Sequence, residues 1–301
     1  MRFYILLLLG LTSWAGCDFE QVKTVKVPEE KLLVLNGTFR PDSMLTVNVS
    51  KTAPAVGASY APAYLLGADV RFYEDGVLLG KATDRGQGFY RLDVYPQAGK
   101  TYKVLVNSPD LPQAEAEVKL PALPDIRVNL ENFDSLEGYR LTKATLTLMD
   151  NKDLKSLYHL RVLSWRKMGF DGRTYSYFYD PPCSSESPYI RNRSIYFNFG
   201  NNDLQYICSG LVLLEDDLFN GKEVSLDLTF SYPTQGKDDE IIRTYLMFGE
   251  VPPSLKTYLA SVSGQLTGDS FFLSEPFNVQ GNVKGGLGLV TAFSGIQMEL
   301  K

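Results

Sequence analysis

Val224-Ser225-Leu226-Asp227-Leu228-Thr229-Phe230 alternates apolar and polar residues without a break, the period of two that a half-buried strand imposes. Successive side chains of a strand point to opposite faces, so Val224, Leu226, Leu228 and Phe230 line one face and Ser225, Asp227 and Thr229 the other. The alternation recurs upstream in Met44 to Ser50, Ala68 to Tyr73, Gly88 to Val94 and Thr101 to Val106, and Leu32 to Gly37 reads as a strand running into a turn. Glu74-Asp75-Gly76 supplies a hairpin turn before Val77 to Gly80, and Ala114 to Val118 closes the series. Short strands punctuated by turns predict an immunoglobulin-like β-sandwich over residues 28–120.

Pro121-Ala122-Leu123-Pro124 interrupts this pattern, because prolines cannot donate to a sheet and favour extended linkers. A second β-rich domain is expected over 125–301. Arg140 to Met149 and Tyr158 to Trp165 look like an antiparallel pair around Asp150-Asn151-Lys152-Asp153, followed by an aromatic, loop-rich insertion at about 166–208. One segment has helical spacing: Pro252 and Pro253 open it, Leu255, Tyr258, Leu259 and Val262 repeat at three and four residues, and Gly264 ends it. Residues 286–290 and 295–300 supply the last strands. The expected class is mainly β, two domains with one short helix.

The N-terminus has the layout of an export signal: Arg2, an apolar run from Phe3 to Leu11, then small residues. That run is about half of the roughly 20 residues a spanning helix needs, so cleavage rather than retention is expected. Ala15-Gly16-Cys17 places small residues before a thiol, as a lipoprotein signal does, although Trp14 stands where a branched aliphatic residue is usual. Residues 1–16 are thus read as a lipoprotein signal peptide, Cys17 as the lipidation site, and 17–27 as a tether with an acidic start, Asp18-Phe19-Glu20.

Thirty basic residues against 35 acidic ones leave a net charge of −5, a poor match to nucleic acid or anionic lipid. Cys183 and Cys208 enclose a loop in a chain expected to leave the cytoplasm, and a disulfide is the leading reading. A zinc site needs three or four soft or imidazole ligands, and the chain offers only these two cysteines, read as a disulfide, and the single histidine, His159, so no metal or other cofactor is expected. His159 lies inside an expected strand with no Gly-x-Ser-x-Gly elbow, which argues against a serine or cysteine hydrolase. The acidic runs Glu215-Asp216-Asp217 and Asp238-Asp239-Glu240 read as solvated loops; carboxylate-based glycan hydrolysis or calcium binding there are minor alternatives. No catalytic residue is assigned.

Within the insertion Tyr175, Tyr177 and Tyr179 fall on one face of an extended segment, with Phe170, Tyr189, Tyr196, Phe197, Phe199 and Tyr206 nearby in sequence. Such a face can stack on sugar rings or grip a peptide or protein partner, or it can be core. Exposure of the tyrosines favours binding; burial of all three favours a scaffold.

Leu33-Val34-Leu35-Asn36-Gly37, Gly67-Ala68-Asp69-Val70, Gly88-Phe89-Tyr90-Arg91-Leu92, and Glu275-Pro276 through Asn282-Val283-Lys284-Gly285-Gly286-Leu287-Gly288 together resemble the Bacteroidota lipoproteins grouped as domain of unknown function 4249. The glycine-rich motif with Gly285, Gly286 and Gly288 is the most specific piece; the others occur in many carboxypeptidase-regulatory-like sandwiches. The resemblance implies an outer-membrane lipoprotein, often produced beside TonB-dependent receptors, and carries no catalytic residues. A phosphate-binding loop at Gly281 to Gly288 is not expected, since no Lys-Ser/Thr pair and helix follow; close backbone approach explains the glycines better. The expected function is that of a lipid-anchored binding or accessory protein of the outer membrane, with the cell-surface face favoured over the periplasmic one and an envelope scaffold as the alternative function.

Overall fold

The computed structural model describes residues 31–53, 63–134, 139–170, 173–193, 195–197, 207–233, 241–267 and 279–300. Cys17, its preceding signal and the tether lie outside them, as does Asp238-Asp239-Glu240.

The first half forms β1 (Leu33–Phe39), β2 (Leu45–Lys51), β3 (Ala63–Tyr64), β4 (Asp69–Glu74), β5 (Val77–Lys81), β6 (Thr83–Asp84), β7 (Phe89–Leu92), β8 (Thr101–Ser108) and β9 (Leu111–Lys119). The second half forms β10 (Asp125–Asp134), β11 (Tyr139–Met149), β12 (Leu157–Phe170), β13 (Arg173–Tyr179), β14 (Cys183–Ser184), a one-turn helix α1 (Pro188–Arg191) and β15 (Ile195–Phe197). After these come β16 (Leu211–Glu215), β17 (Glu223–Pro233), β18 (Ile241–Glu250), the helix α2 (Pro253–Thr267), β19 (Val283–Lys284), β20 (Gly286–Ala292) and β21 (Ser294–Leu300). The molecule is mainly β, as its alternation dictates.

Four sheets make two sandwiches. In the first, the order β20-β1-β2-β7-β6, with β3 on β2, faces β19-β9-β8-β4-β5. Leu33, Leu35, Val47, Val70, Phe72, Tyr102 and Val104 fill the space between, with Phe39 packed edge-on to Phe72 and Tyr102 at 5.8 and 6.2 Å. Asp75 and Gly76 hold positive φ angles of 46° and 83° at the expected hairpin turn. The Tyr90 hydroxyl accepts from Ala68 N–H and donates to Leu65 C=O, both at 2.9 Å, which ties the Gly67 segment to the Gly88 segment.

In the second sandwich, β10-β11-β17-β14 faces β15-β16-β12-β18-β21, with β13 on β12. Val224, Leu226, Leu228 and Phe230 of β17 are buried, as their alternation requires.

Three expectations change. Arg140 to Met149 and Tyr158 to Trp165 are not partners: β11 pairs with β10 and β17, whereas β12 pairs with β13, β16 and β18. The chain crosses between sheets there because Asp150 is buried, accepting from Tyr158 Oη at 2.6 Å and from Gly221 N–H at 2.8 Å, instead of facing water in a turn. Second, the glycine-rich segment does not stay with residues 125–301. β20 runs parallel to β1 from Leu33↔Gly286 to Phe39↔Ala292, completing the first sandwich, and β21 then joins the second. A Cβ on Gly288, whose φ is +107°, would collide with Leu35 C=O, so close strand approach accounts for the motif. Third, the 166–208 segment is not a loop insertion throughout, since β13 extends one sheet and β14 another. The helix begins at Pro253 and runs three residues past Gly264.

Candidate functional site: an aromatic face where the core opens

β12 is fourteen residues long, and its two halves have different neighbours. From Leu157 to Leu160 it lies against β16, and from Ser164 to Phe170 that side is taken by β13. Tyr158, Leu160 and Val162 point into the core of the second sandwich. By the period of two, Ser164 and Arg166 continue the same face, opposite Tyr179 and Tyr177, and Tyr175 follows two residues before Tyr177 on β13. The three tyrosines therefore lie on an extension of the core face.

Exposure rises along that face as it leaves the opposite sheet: Tyr179 is half-buried, Tyr177 is 40% exposed and Tyr175 45% exposed. Burial, first of all, holds the Tyr179 phenol above its ordinary value, opposed by a hydrogen bond with Ser164. Ser164 Oγ is itself buried, 2.7 Å from Thr244 Oγ1. The Tyr177 and Tyr179 rings are 6.2 Å apart and tilted by 42°, and Arg166 Nη1 donates to Tyr177 Oη at 3.3 Å. Across from them, Tyr139, Ser231 and Pro233 come from the ends of β11 and β17, and with Pro182 they enclose a cavity of about 260 Å³. Phe178, on the other face of β13, is 64% exposed.

Two features fix this end of the sandwich. Asp180, directly after β13, accepts from Arg161 Nε and Nη2 at 2.6 and 3.1 Å, and its carboxylate is 6% exposed. Cys183 and Cys208 form the expected disulfide. Around it Ser209 Oγ accepts from Cys183 N–H and donates to Pro181 C=O, while Ser231 N–H donates to Pro182 C=O. The turn that carries Pro182 is thus held to β17. Of the other aromatics singled out, Tyr189 packs edge-on against Phe219 in the core at 5.4 Å. The side chains of Phe170, Tyr196, Phe197, Phe199 and Tyr206 lie outside the described residues.

A second cavity, of about 210 Å³, lies where the two sandwiches meet, between Thr38, Arg40 and Phe293 on one side and His159, Arg161 and Leu255 on the other. His159 is buried with its ring edge-on to Phe293 at 5.7 Å. Desolvation, then the charges of Arg161 and Arg40, push its imidazole down to about 3, so it is neutral at any ordinary pH. Arg40 stacks over Phe293 at 5.2 Å and forks onto Asp42 at 2.9 and 2.7 Å. The sequence gives no sign that Arg40 and Arg161, which lie far apart in it, converge here.

The run Glu215-Asp216-Asp217 is not simply solvated. Glu215 pairs with Lys256 of α2 at 2.7 Å and Asp217 with Lys155 at 3.1 Å, while Asp216 is buried and accepts from Ser156 N–H at 2.5 Å. Burial holds the Asp216 carboxyl above its ordinary value, and burial with the charges of Asp150 and Asp216 pushes Glu250 up to about 7. Asp150 and Asp216 thus form a buried corner that fastens the crossover between sheets, with half-buried Glu250 close enough to feel their charges. Among the described residues no group of three or more His, Cys, Asp or Glu side chains is placed to hold a metal ion.

No family model and no curated protein matches the chain. Among solved structures it is similar to a protein from Corynebacterium diphtheriae described as membrane anchored, at 10% identity and a TM-score of 0.19, over 89% of this chain and 59% of that one. The chain therefore spans about three fifths of that protein's length. Among the described residues no helix is long and apolar enough to cross a membrane.

Proposed function

We propose that this chain is a lipid-anchored binding protein of the bacterial outer membrane, held by lipid on Cys17 and presenting the tyrosine face of β13 to a partner of the envelope or to an extracellular ligand. The observation that carries this reading is that Tyr175 and Tyr177 stand exposed on a continuation of the core face, beside a cavity and Arg166. Exposed rings that a sandwich would ordinarily cover favour contact with another molecule over a purely internal role. Tyrosine couples apolar area to a hydroxyl at small entropy cost, and the Arg166 guanidinium adds charge for carboxylate or carbonyl groups. The fitting ligands are a glycan stacked on the rings or an extended peptide, and the fitting protein partner is a TonB-dependent transporter. The reading assigns no catalysis.

The test has two arms. Cys17→Ser should move the protein from the membrane pellet to the soluble fraction; retention in the membrane refutes the lipid anchor. Lipidated protein purified from its own outer membrane, and the Tyr175→Ala/Tyr177→Ala variant shown to melt normally, should then be compared for bound partners by mass spectrometry and on glycan and peptide arrays. A partner or ligand bound by the parent and lost in the variant supports the aromatic face as the binding surface. Equal binding by both refutes it.

A further inference from the structure

The free edges of the four sheets are protected unequally. Among the described edges β6, β14, β15 and β19 have two or three residues each, β13, β20 and β21 have seven, β5 carries a register shift against β4, and β10, with ten, is the longest. Short or irregular edges are the usual defence against pairing with another chain. β10 has no such defence. It is the outermost strand of its sheet, ten residues long, in unbroken register with β11 from Asp125↔Met149 to Asp134↔Arg140, and it contains no proline, glycine or lysine. A strand of that length leaves roughly ten backbone N–H and C=O groups facing outward without a strand partner among the described residues.

We propose that two copies of this chain pair through β10, antiparallel about a twofold axis at Asn129, turning the four-stranded sheet into a continuous sheet of eight. A twofold axis perpendicular to the sheet keeps both cores on one side, so each residue must face one of its own parity. Ile126, Val128 and Leu130 pack towards the core, while Arg127, Asn129, Glu131 and Phe133 point outward and are exposed. Centring on Asn129 sets Arg127 opposite Glu131 of the other copy, twice by symmetry. It also sets Val128 opposite Leu130, Ile126 opposite Asn132, Asn129 opposite itself, and Asp125 opposite Phe133, so that residues 125–133 all find partners.

The neighbouring registers lose this match. Centring on Val128 sets Asp125 opposite Glu131, two like charges; centring on Leu130 sets Arg127 opposite Phe133 and Glu131 opposite Asn129. Directly opposed charges on a sheet face attract or repel according to sign, so β10 selects its own register. Arg127 also bonds Glu223 at 2.7 Å, but its side chain is 65% exposed, and the guanidinium fork has donors for a second carboxylate.

The test uses single cysteines in the full chain, cross-linked in the expressing cells by a mild oxidant and read on non-reducing gels. Directly opposed Cβ atoms lie about 4.5–5.5 Å apart, so Asn129→Cys should give a covalent dimer of this chain. Arg127→Cys or Glu131→Cys alone should cross-link at least about tenfold more slowly, whereas the two co-expressed should give the heterodimer. In the Asn129→Cys background, Arg127→Glu or Glu131→Arg should slow cross-linking by about tenfold or more, and the double charge swap should restore it. All these positions are exposed, so the variants retain the fold, which melting curves verify. Equal cross-linking at 127, 129 and 131, no dimer at 129, cross-linking of 129 to a different protein, or failure of the swap to restore the rate would each overturn the proposal.

Discussion

Replacing Glu250 with glutamine should make this protein more resistant to heat at pH 8 and leave it nearly unchanged at pH 4. Glu250 ends β18, opposite Tyr158, half-buried beside Ser156. Burial, then the charges of Asp150 and Asp216, raise its carboxyl from 4.5 to about 7, against the opposing pull of the Ser156 hydrogen bond and Lys119. The folded state therefore keeps a proton that the unfolded chain releases above about pH 4.5. Stability from this group is fully present below that pH and is lost as pH rises through about 7. At about 1.4 kcal/mol per pH unit the full loss is roughly 3 kcal/mol, and contact with water cuts this to about half. Glutamine never ionises and still accepts from Ser156, so it avoids the loss, and removing the charge also relieves Asp216. A gain of roughly 1.5 kcal/mol raises Tm by about 3–6 °C in a domain of this size. The assay is the Tm difference between Glu250→Gln and the parent at pH values from 4 to 8. Taking the difference cancels Asp69, Asp75 and Asp84, whose partners hold them low and which gain stability as pH rises. A difference that stays flat with pH, or a variant less stable at pH 8, would refute the reasoning.

Two further outcomes follow from named contacts. The chain has one histidine, so its imidazole resonance is unambiguous; held down to about 3 by burial and two arginines, it should show no titration between pH 8 and pH 5 by NMR, and a midpoint near 6.5 would mean that His159 is not packed against Phe293. Gly288→Ala should lower stability by about 2 kcal/mol or more, because φ is +107° and the new methyl meets Leu35 C=O; a melting temperature within a degree of the parent would show that β20 does not lie against β1 this way.

What the sequence discloses is whatever is encoded locally. The alternation of residues 224–230 becomes a strand whose inward residues are all buried, Asp75-Gly76 becomes a turn with two positive φ angles, and Pro253 opens the helix. Pairing over long distances is not encoded that way. Asp150 to Asp153 has the composition of a hairpin turn, yet what decides its role is the Tyr158 hydroxyl and Gly221 N–H that bury Asp150, one of them seventy-one residues away. The glycine-rich segment announces close backbone approach but not the strand it approaches, which lies some 250 residues upstream. The acidic run hides Asp216 for the same reason: charge patterning distinguishes polar loops from apolar ones, but not a carboxylate capped by a distant N–H.

The tyrosine face shows why its character could not be settled from spacing alone. A period of two places Tyr175, Tyr177 and Tyr179 together, and both a core and a binding surface satisfy it. The answer lies in where the opposite sheet stops. Tyr139 and Pro233 are paired at the last described rung between β11 and β17, while β12 and β13 run on beyond them to Phe170 and Arg173. Residues level with that rung are core, and those beyond it keep core chemistry with no strand of the opposite sheet over them among the described residues. Tyr179 is therefore half-buried and anchored through Ser164, while Tyr177 and Tyr175 are increasingly exposed. Arg161 and Asp180 brace the same hairpin from its other face, and Arg161 also lines the cavity at the junction of the sandwiches. The rigid part of β12 thus carries the pairing that positions the exposed part, so a ligand there meets rings already held in place and loses little conformational entropy on binding.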